Sequence, residues 1–176
     1  SYHLPWVHPE LNAYSRMEDH YNISEWGEFS GQGSVNYNPN ISDPGGLKFE
    51  NVPNLPEKWE RGSEYIALFP NVLLGLHKDH LFAILVLPDG PHKCHERVEI
   101  FYYGTDCLGA KFEELRTMNA KNWESIFSED VGVVEGMQIG RSSRGFGGGI
   151  FSPVHDVPTR CFHSWIAQQM LRGFKC

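Results

Sequence analysis

Four runs of β-branched, aromatic and aliphatic residues, Tyr65 to Phe69, Val72 to Leu76, Leu81 to Leu87 and Arg97 to Tyr103, follow one another with only short breaks. Such runs suit a pleated, half-buried surface, and breaks this short leave room for hairpins but not for crossover helices. An antiparallel meander is expected, with one hairpin at His77-Lys78-Asp79-His80. Gly104 ends the strands, and from about Lys111 the periodicity changes. Trp123, Ile126, Phe127, Val131, Val134, Met137 and Gln138 recur at three- and four-residue steps, one apolar stripe along a helix expected to face the sheet. Gly145, Gly147, Gly148 and Gly149 interrupt it, and a last helix is expected from near Pro158, a favourable first-turn residue, to about Arg172. Upstream, Asn22 to Pro56 is rich in Gly, Asn, Ser and Pro and reads as long loops with at most short strands, such as Glu28-Phe29 or Ser34 to Tyr37. The fold class is α+β: an antiparallel sheet packed against late C-terminal helices, a shape that commonly encloses a pocket.

A chain of 176 residues with 40% apolar content can bury one core and is short for two ordinary domains, so residues 1–176 are expected to form one. A net charge of −7 without any basic run leaves nothing to neutralise a phosphate backbone or an anionic membrane, so nucleic acid and membrane partners are not expected. The longest apolar stretch, Leu81 to Leu87, falls far short of the roughly 20 residues that span a bilayer. Cys94, Cys107, Cys161 and Cys176 stand far apart with no C-x-x-C pair, which suggests neither a zinc knuckle nor a disulfide framework and fits a reducing cytoplasm. The chain begins at Ser1 with a motif already under way, as a fragment or processed product would.

Two sets of residues carry possible chemistry. His3 and His8 lie five apart, and on an ideal helix they diverge by about 140°. Pro5 and Pro9 make an unbroken helix improbable, so the second imidazole can point back toward the first. Asp130 lies three residues after Phe127 and four before Val134, in the middle of the apolar stripe. An ionised carboxylate there is costly without a partner, and no Arg or Lys sits three or four residues away. A metal is one candidate partner; the alternative is a helix that ends near Gly132 and leaves Asp130 in solvent. Two neutral imidazoles and a carboxylate suit a non-haem Fe(II) oxygenase, and zinc in a hydrolase can use the same ligands. A third possibility is a module that carries an apolar ligand without chemistry. Cys161-Phe162-His163 is read as helix packing, and His77, His80, His92 and His95 as ordinary surface or turn histidines. Arg141 to Gly149 follows a helix where a phosphate loop should precede one, so it is not a nucleotide site.

Taken jointly, these segments resemble the catalytic domain of Rieske ring-hydroxylating oxygenase α subunits over nearly the whole chain. Tyr2-His3 through His8-Pro9-Glu10-Leu11 is similar to the family's histidine-bearing segment, and Glu129-Asp130 with Glu135, Gln138, Gly140 and Ser143 to its late helix. Phe69-Pro70-Asn71, and Phe151-Ser152-Pro153 ahead of Phe162-His163-Ser164-Trp165, fit the helix-grip (START/Bet v1-like) domain of the family. The resemblance implies that His3, His8 and Asp130 bind a mononuclear Fe(II), with Ile126 and Phe127 lining the substrate site. It also implies O2-dependent oxidation of an aromatic or other small organic substrate, with demethylation of a quaternary ammonium compound as the alternative. For that alternative Trp6, Tyr102, Tyr103 and Phe127 are the aromatics available to cage a cation. Electrons are expected from a reductase or ferredoxin through a [2Fe-2S] Rieske cluster, across subunits of a homotrimer. Neither the cluster's ligands nor the bridging acid is on this chain, so the fragment alone is expected to be inactive.

Overall fold

The structure, a computed structural model, describes residues 3–24, 27–37 and 46–173. Ser1, Tyr2 and Cys176 therefore lie outside the described residues. Among the described residues, six strands form one antiparallel sheet in sequence order: β1 (His20–Ser24), β2 (Phe29–Ser34), β3 (Ser63–Leu68), β4 (Val72–Leu76), β5 (His80–Pro88) and β6 (Cys94–Tyr102). The four expected runs correspond to β3 through β6, each displaced by at most a few residues. β4 and β5 meet at the expected hairpin, where the His77 amide donates to the His80 carbonyl at 3.0 Å.

The glycine-rich upstream segment holds more strand than expected. β2 runs through Gly31 and Gly33 because the sheet leaves no room for side chains there: a Cβ on Gly31 would strike the Tyr65 carbonyl, and one on Gly33 the Tyr21 ring. β1 was not expected at all. It is a short edge strand with polar, exposed positions, so it lacks the apolar alternation that marks a strand in sequence. The opposite edge, β6, carries Glu96, Arg97 and Glu99 on a largely exposed strand, charges that discourage pairing with another chain.

Among the described residues, three α-helices accompany the sheet: α1 (Leu4–Val7), α2 (Glu113–Arg141) and α3 (Val157–Gly173). α3 lies against β1 and β2. Its Phe162 and Trp165 rings pack on Phe69 at 5.1 and 5.6 Å between centroids, and Ser30 Oγ donates to the Pro158 carbonyl at 2.9 Å. Cys161 is buried, consistent with helix packing, and Cys94, Cys107 and Cys161 are free thiols.

α2 corrects the expectation of a helix lying on the sheet along its length. Leu115, Asn119 and Trp123, spaced by four, are buried, and Ile126 and Phe127 pack against the core. Beyond them the stripe continues past its cover, leaving Val131, Val134 and Met137 more than half exposed. The helix runs through Gly132 to Arg141. Among the described residues, no helix is long and apolar enough to cross a membrane.

The main core joins Tyr37, Phe82, Ile84 and Trp123, with Leu11, Tyr14, Tyr65 and Ile126 around it. His77 and His80 belong to this interior, contrary to the surface role expected for them; His92 and His95 are exposed. Their positions at a turn gave no hint of burial, because the turn folds under Tyr37 and Trp123, whose rings lie 4.8 and 5.1 Å from His77. Burial holds the His77 imidazole well below its ordinary value of 6.5. The unfolded chain protonates this side chain near pH 6.5 while the folded chain keeps it neutral, so below that pH the unfolded state binds more protons. Its contribution to stability is therefore full above pH 6.5 and lost as pH falls toward the folded value, by up to about 1.4 kcal/mol per pH unit. Urea midpoints are expected to fall on acidification below pH 6.5, and less steeply in His77→Gln.

Candidate metal centre

The first residues reach the site through a bent turn. Leu4 is buried and anchors α1, which has Pro5 in its first turn and ends at His8, where the backbone leaves the helical region at φ −122° and ψ 65°. This break brings the two imidazoles together, with ring centroids 5.1 Å apart and planes at 67°. On an unbroken helix they would diverge.

The rings face the middle of α2. His8 Nε2 lies 3.2 Å from Asp130 Oδ1, and His3 Nε2 lies 3.6 Å from the same oxygen. One ligand atom from each of the three side chains falls within 4.8 Å of the others. Metal bonds of about 2.1 Å at right angles place donors about 3.0 Å apart, close to this spacing. His8 is 3% exposed, whereas His3 and Asp130 are each a little under half exposed. Burial is the main cause that lowers the His3 imidazole from 6.5, toward the neutral form a metal requires. Asp130 therefore reaches partial solvent while its helix continues.

Glu129 is the residue that sequence reasoning did not single out for a role. Its Oε2 lies 2.6 Å from His8 Nδ1, so the ring donates its Nδ1 proton to this carboxylate. A neutral His8 that gives its Nδ1 hydrogen to Glu129 keeps its lone pair on Nε2, 3.2 Å from Asp130 Oδ1, so nitrogen and carboxylate oxygen stand close enough to share one cation. This is the observation that fits the donor set to a metal. Two nitrogens and one carboxylate oxygen gathered on one side leave other positions open, as non-haem Fe(II) oxygenation requires.

A groove of about 620 Å³ between β6 and α2 is lined by Val98, Ile100, Trp123 and Phe127, with Glu96, Arg116 and Glu124 at its polar positions. Phe127 lines it. Ile126 does not: it packs with Leu11 and Tyr14 against the core. Of the four aromatics available for a cation cage, Tyr102 and Phe127 line this groove, whereas Trp6 is 86% exposed. The rings that do gather are Tyr14, Tyr37, Tyr65 and Trp123, with Tyr37 5.8 Å from Tyr14 and 6.3 Å from Trp123.

The fold and this donor set together describe a helix-grip catalytic domain. The model of the ring hydroxylating alpha subunit (catalytic domain) family matches residues 1–172, and the chain belongs to that family. Membership implies a mononuclear iron. Two solved structures share the fold. One is the quaternary ammonium Rieske monooxygenase CntA in complex with an inhibitor, 14% identical, with a TM-score of 0.66 over 95% of this chain and 42% of that one. The other is a quaternary ammonium Rieske monooxygenase described for carnitine oxidation by gut microbiota and inter-subunit electron transfer, also 14% identical, with a TM-score of 0.67 over 95% of this chain and 43% of that one. This chain thus spans less than half the length of either. No curated protein sequence matches it closely enough to count as a relative.

Proposed function

We propose that this chain is the catalytic domain of a Rieske-type oxygenase that oxidises a small organic substrate with O2, and that His3, His8 and Asp130 hold its Fe(II). The observation that carries the proposal is the convergence of three donors, two near the start of the chain and one on α2, with a lone pair facing a carboxylate oxygen. When bound, the iron supplies O2 activation, using electrons delivered through a [2Fe-2S] Rieske centre on another part of the oxygenase.

The chain's own residues place and shield. His3 and His8 supply neutral nitrogens, and Asp130 supplies one negative charge against the cation. Phe127, with Trp123 and Phe82 packed at 5.6 and 5.2 Å from it, presents an apolar wall to the groove, whose volume suits a small organic molecule. Such a wall holds a poorly polar substrate and keeps water out. Ile126 packs against the same core cluster as Phe127. In the complete protein the electron donor is a reductase or ferredoxin, the assembly a trimer and the compartment the cytoplasm.

A quaternary ammonium substrate is the second reading. It is supported by the aromatic rings of Tyr102, Trp123 and Phe127 that line the groove, since ring faces attract cations, and it agrees with the substrate named for the two fold neighbours. A carrier without chemistry has no use for three convergent donors.

Anaerobic loading with Fe(II) followed by metal analysis tests the proposal. One iron per chain is expected, and much less in His3→Ala and His8→Ala. Unchanged iron content in both variants would remove the metal centre.

A further inference from the structure

The ring of His8 is bracketed by two adjacent carboxylates of one helix. Asp130 Oδ1 stands 3.2 Å from its Nε2 and Glu129 Oε2 stands 2.6 Å from its Nδ1. Successive residues on a helix point about 100° apart, and these two neighbouring acids meet different nitrogens of the one imidazole. His8 is 3% exposed, and water has little access to replace either contact.

Resting on the metal-centre reading above, we infer that Glu129 is a positioning residue: it holds His8 in the Nδ1–H tautomer and aims the Nε2 lone pair at the ion. An ionised carboxylate only accepts, so it accepts one ring tautomer and rejects the other. Imidazoles that bind metals commonly donate their second N–H to such a partner, and loss of the partner typically costs 10–100-fold in metal affinity. Glu129 touches neither the ion nor the substrate in this role. It acts through His8.

The test uses Co(II) titration of the whole chain alongside the 15N shifts of the His8 ring in metal-free protein, measured in wild type, Glu129→Gln, Glu129→Ala and His8→Ala. Glu129→Ala is expected to bind Co(II) roughly 10–100-fold more weakly. Its His8 ring should also lose the Nδ1–H signature, because no acceptor selects it. Glu129→Gln should fall between, since an amide offers both an acceptor and a donor. Folding controls by circular dichroism should be unchanged, because Glu129 is a little over a third exposed. If wild type binds Co(II), His8→Ala does not, and Glu129→Ala binds as wild type does with its tautomer intact, the role of Glu129 is overturned and the metal centre stands. If His8→Ala also binds as wild type does, the metal centre itself falls.

Discussion

Replacing Asp130 by alanine is expected to weaken Fe(II) or Co(II) binding by more than 100-fold while leaving the fold nearly as stable as before. The first effect follows from charge. Asp130 is the one anionic donor among the three, and without it a divalent ion keeps its full charge against two neutral imidazoles. Loss of a direct donor should exceed the 10–100-fold cost of losing an outer partner. The second effect follows from exposure: the side chain is 41% exposed, and substitutions at such positions usually change stability by about 0.5 kcal/mol or less. Asp130→Asn keeps an oxygen but not the charge, and should lie between wild type and Asp130→Ala. Metal titration paired with urea unfolding checks both halves. A variant that loses metal only by unfolding would refute the assignment.

Replacing Trp123 by alanine is expected to have the opposite profile, a loss of about 3–5 kcal/mol in stability. The indole is 2% exposed and packs on Phe82, Phe127 and Tyr37 with centroids 4.6, 5.6 and 6.3 Å away. Its Nε1 also donates to His80 Nε2 at 3.0 Å, and the His80 Nδ1 hydrogen is directed at Asp79 Oδ1 at 2.7 Å. Truncation therefore opens a cavity and strands a buried imidazole nitrogen, the latter alone costing about 1–3 kcal/mol. Trp123→Phe restores most of the ring without the donor and isolates that second part. Urea denaturation of the three proteins separates the contributions, and a Trp123→Phe variant as stable as wild type would show that the hydrogen bond to His80 contributes nothing.

The parts legible in the sequence were those written in local periodicity. β3 to β6 and α3 were visible because apolar alternation and turn residues repeat within each element. β1 was not, since a polar edge strand is held by its neighbour rather than by its own pattern. The outer half of α2 shows the limit from the other side: Val131, Val134 and Met137 mark an apolar face, but periodicity does not say whether anything covers it. His77 and His80 were misjudged for a related reason, because burial at a turn depends on what folds over the turn. His3, His8 and Asp130 were singled out through a motif and one charge on an apolar stripe. Glu129 had a signal too: a buried imidazole whose second nitrogen needs an acceptor, beside an acid adjacent to the expected ligand.

The contacts of His8 with α2 join positions 121 and 122 residues apart in the chain. Besides any chemistry, an ion held there acts as a clasp, fastening α1 to α2. Anything that binds only the folded form adds stability by mass action, about 2.7 kcal/mol at a hundredfold excess over its dissociation constant. Iron supply would then govern how firmly α1 and α2 stay joined, and the thermal midpoint would climb with metal concentration before any substrate is turned over.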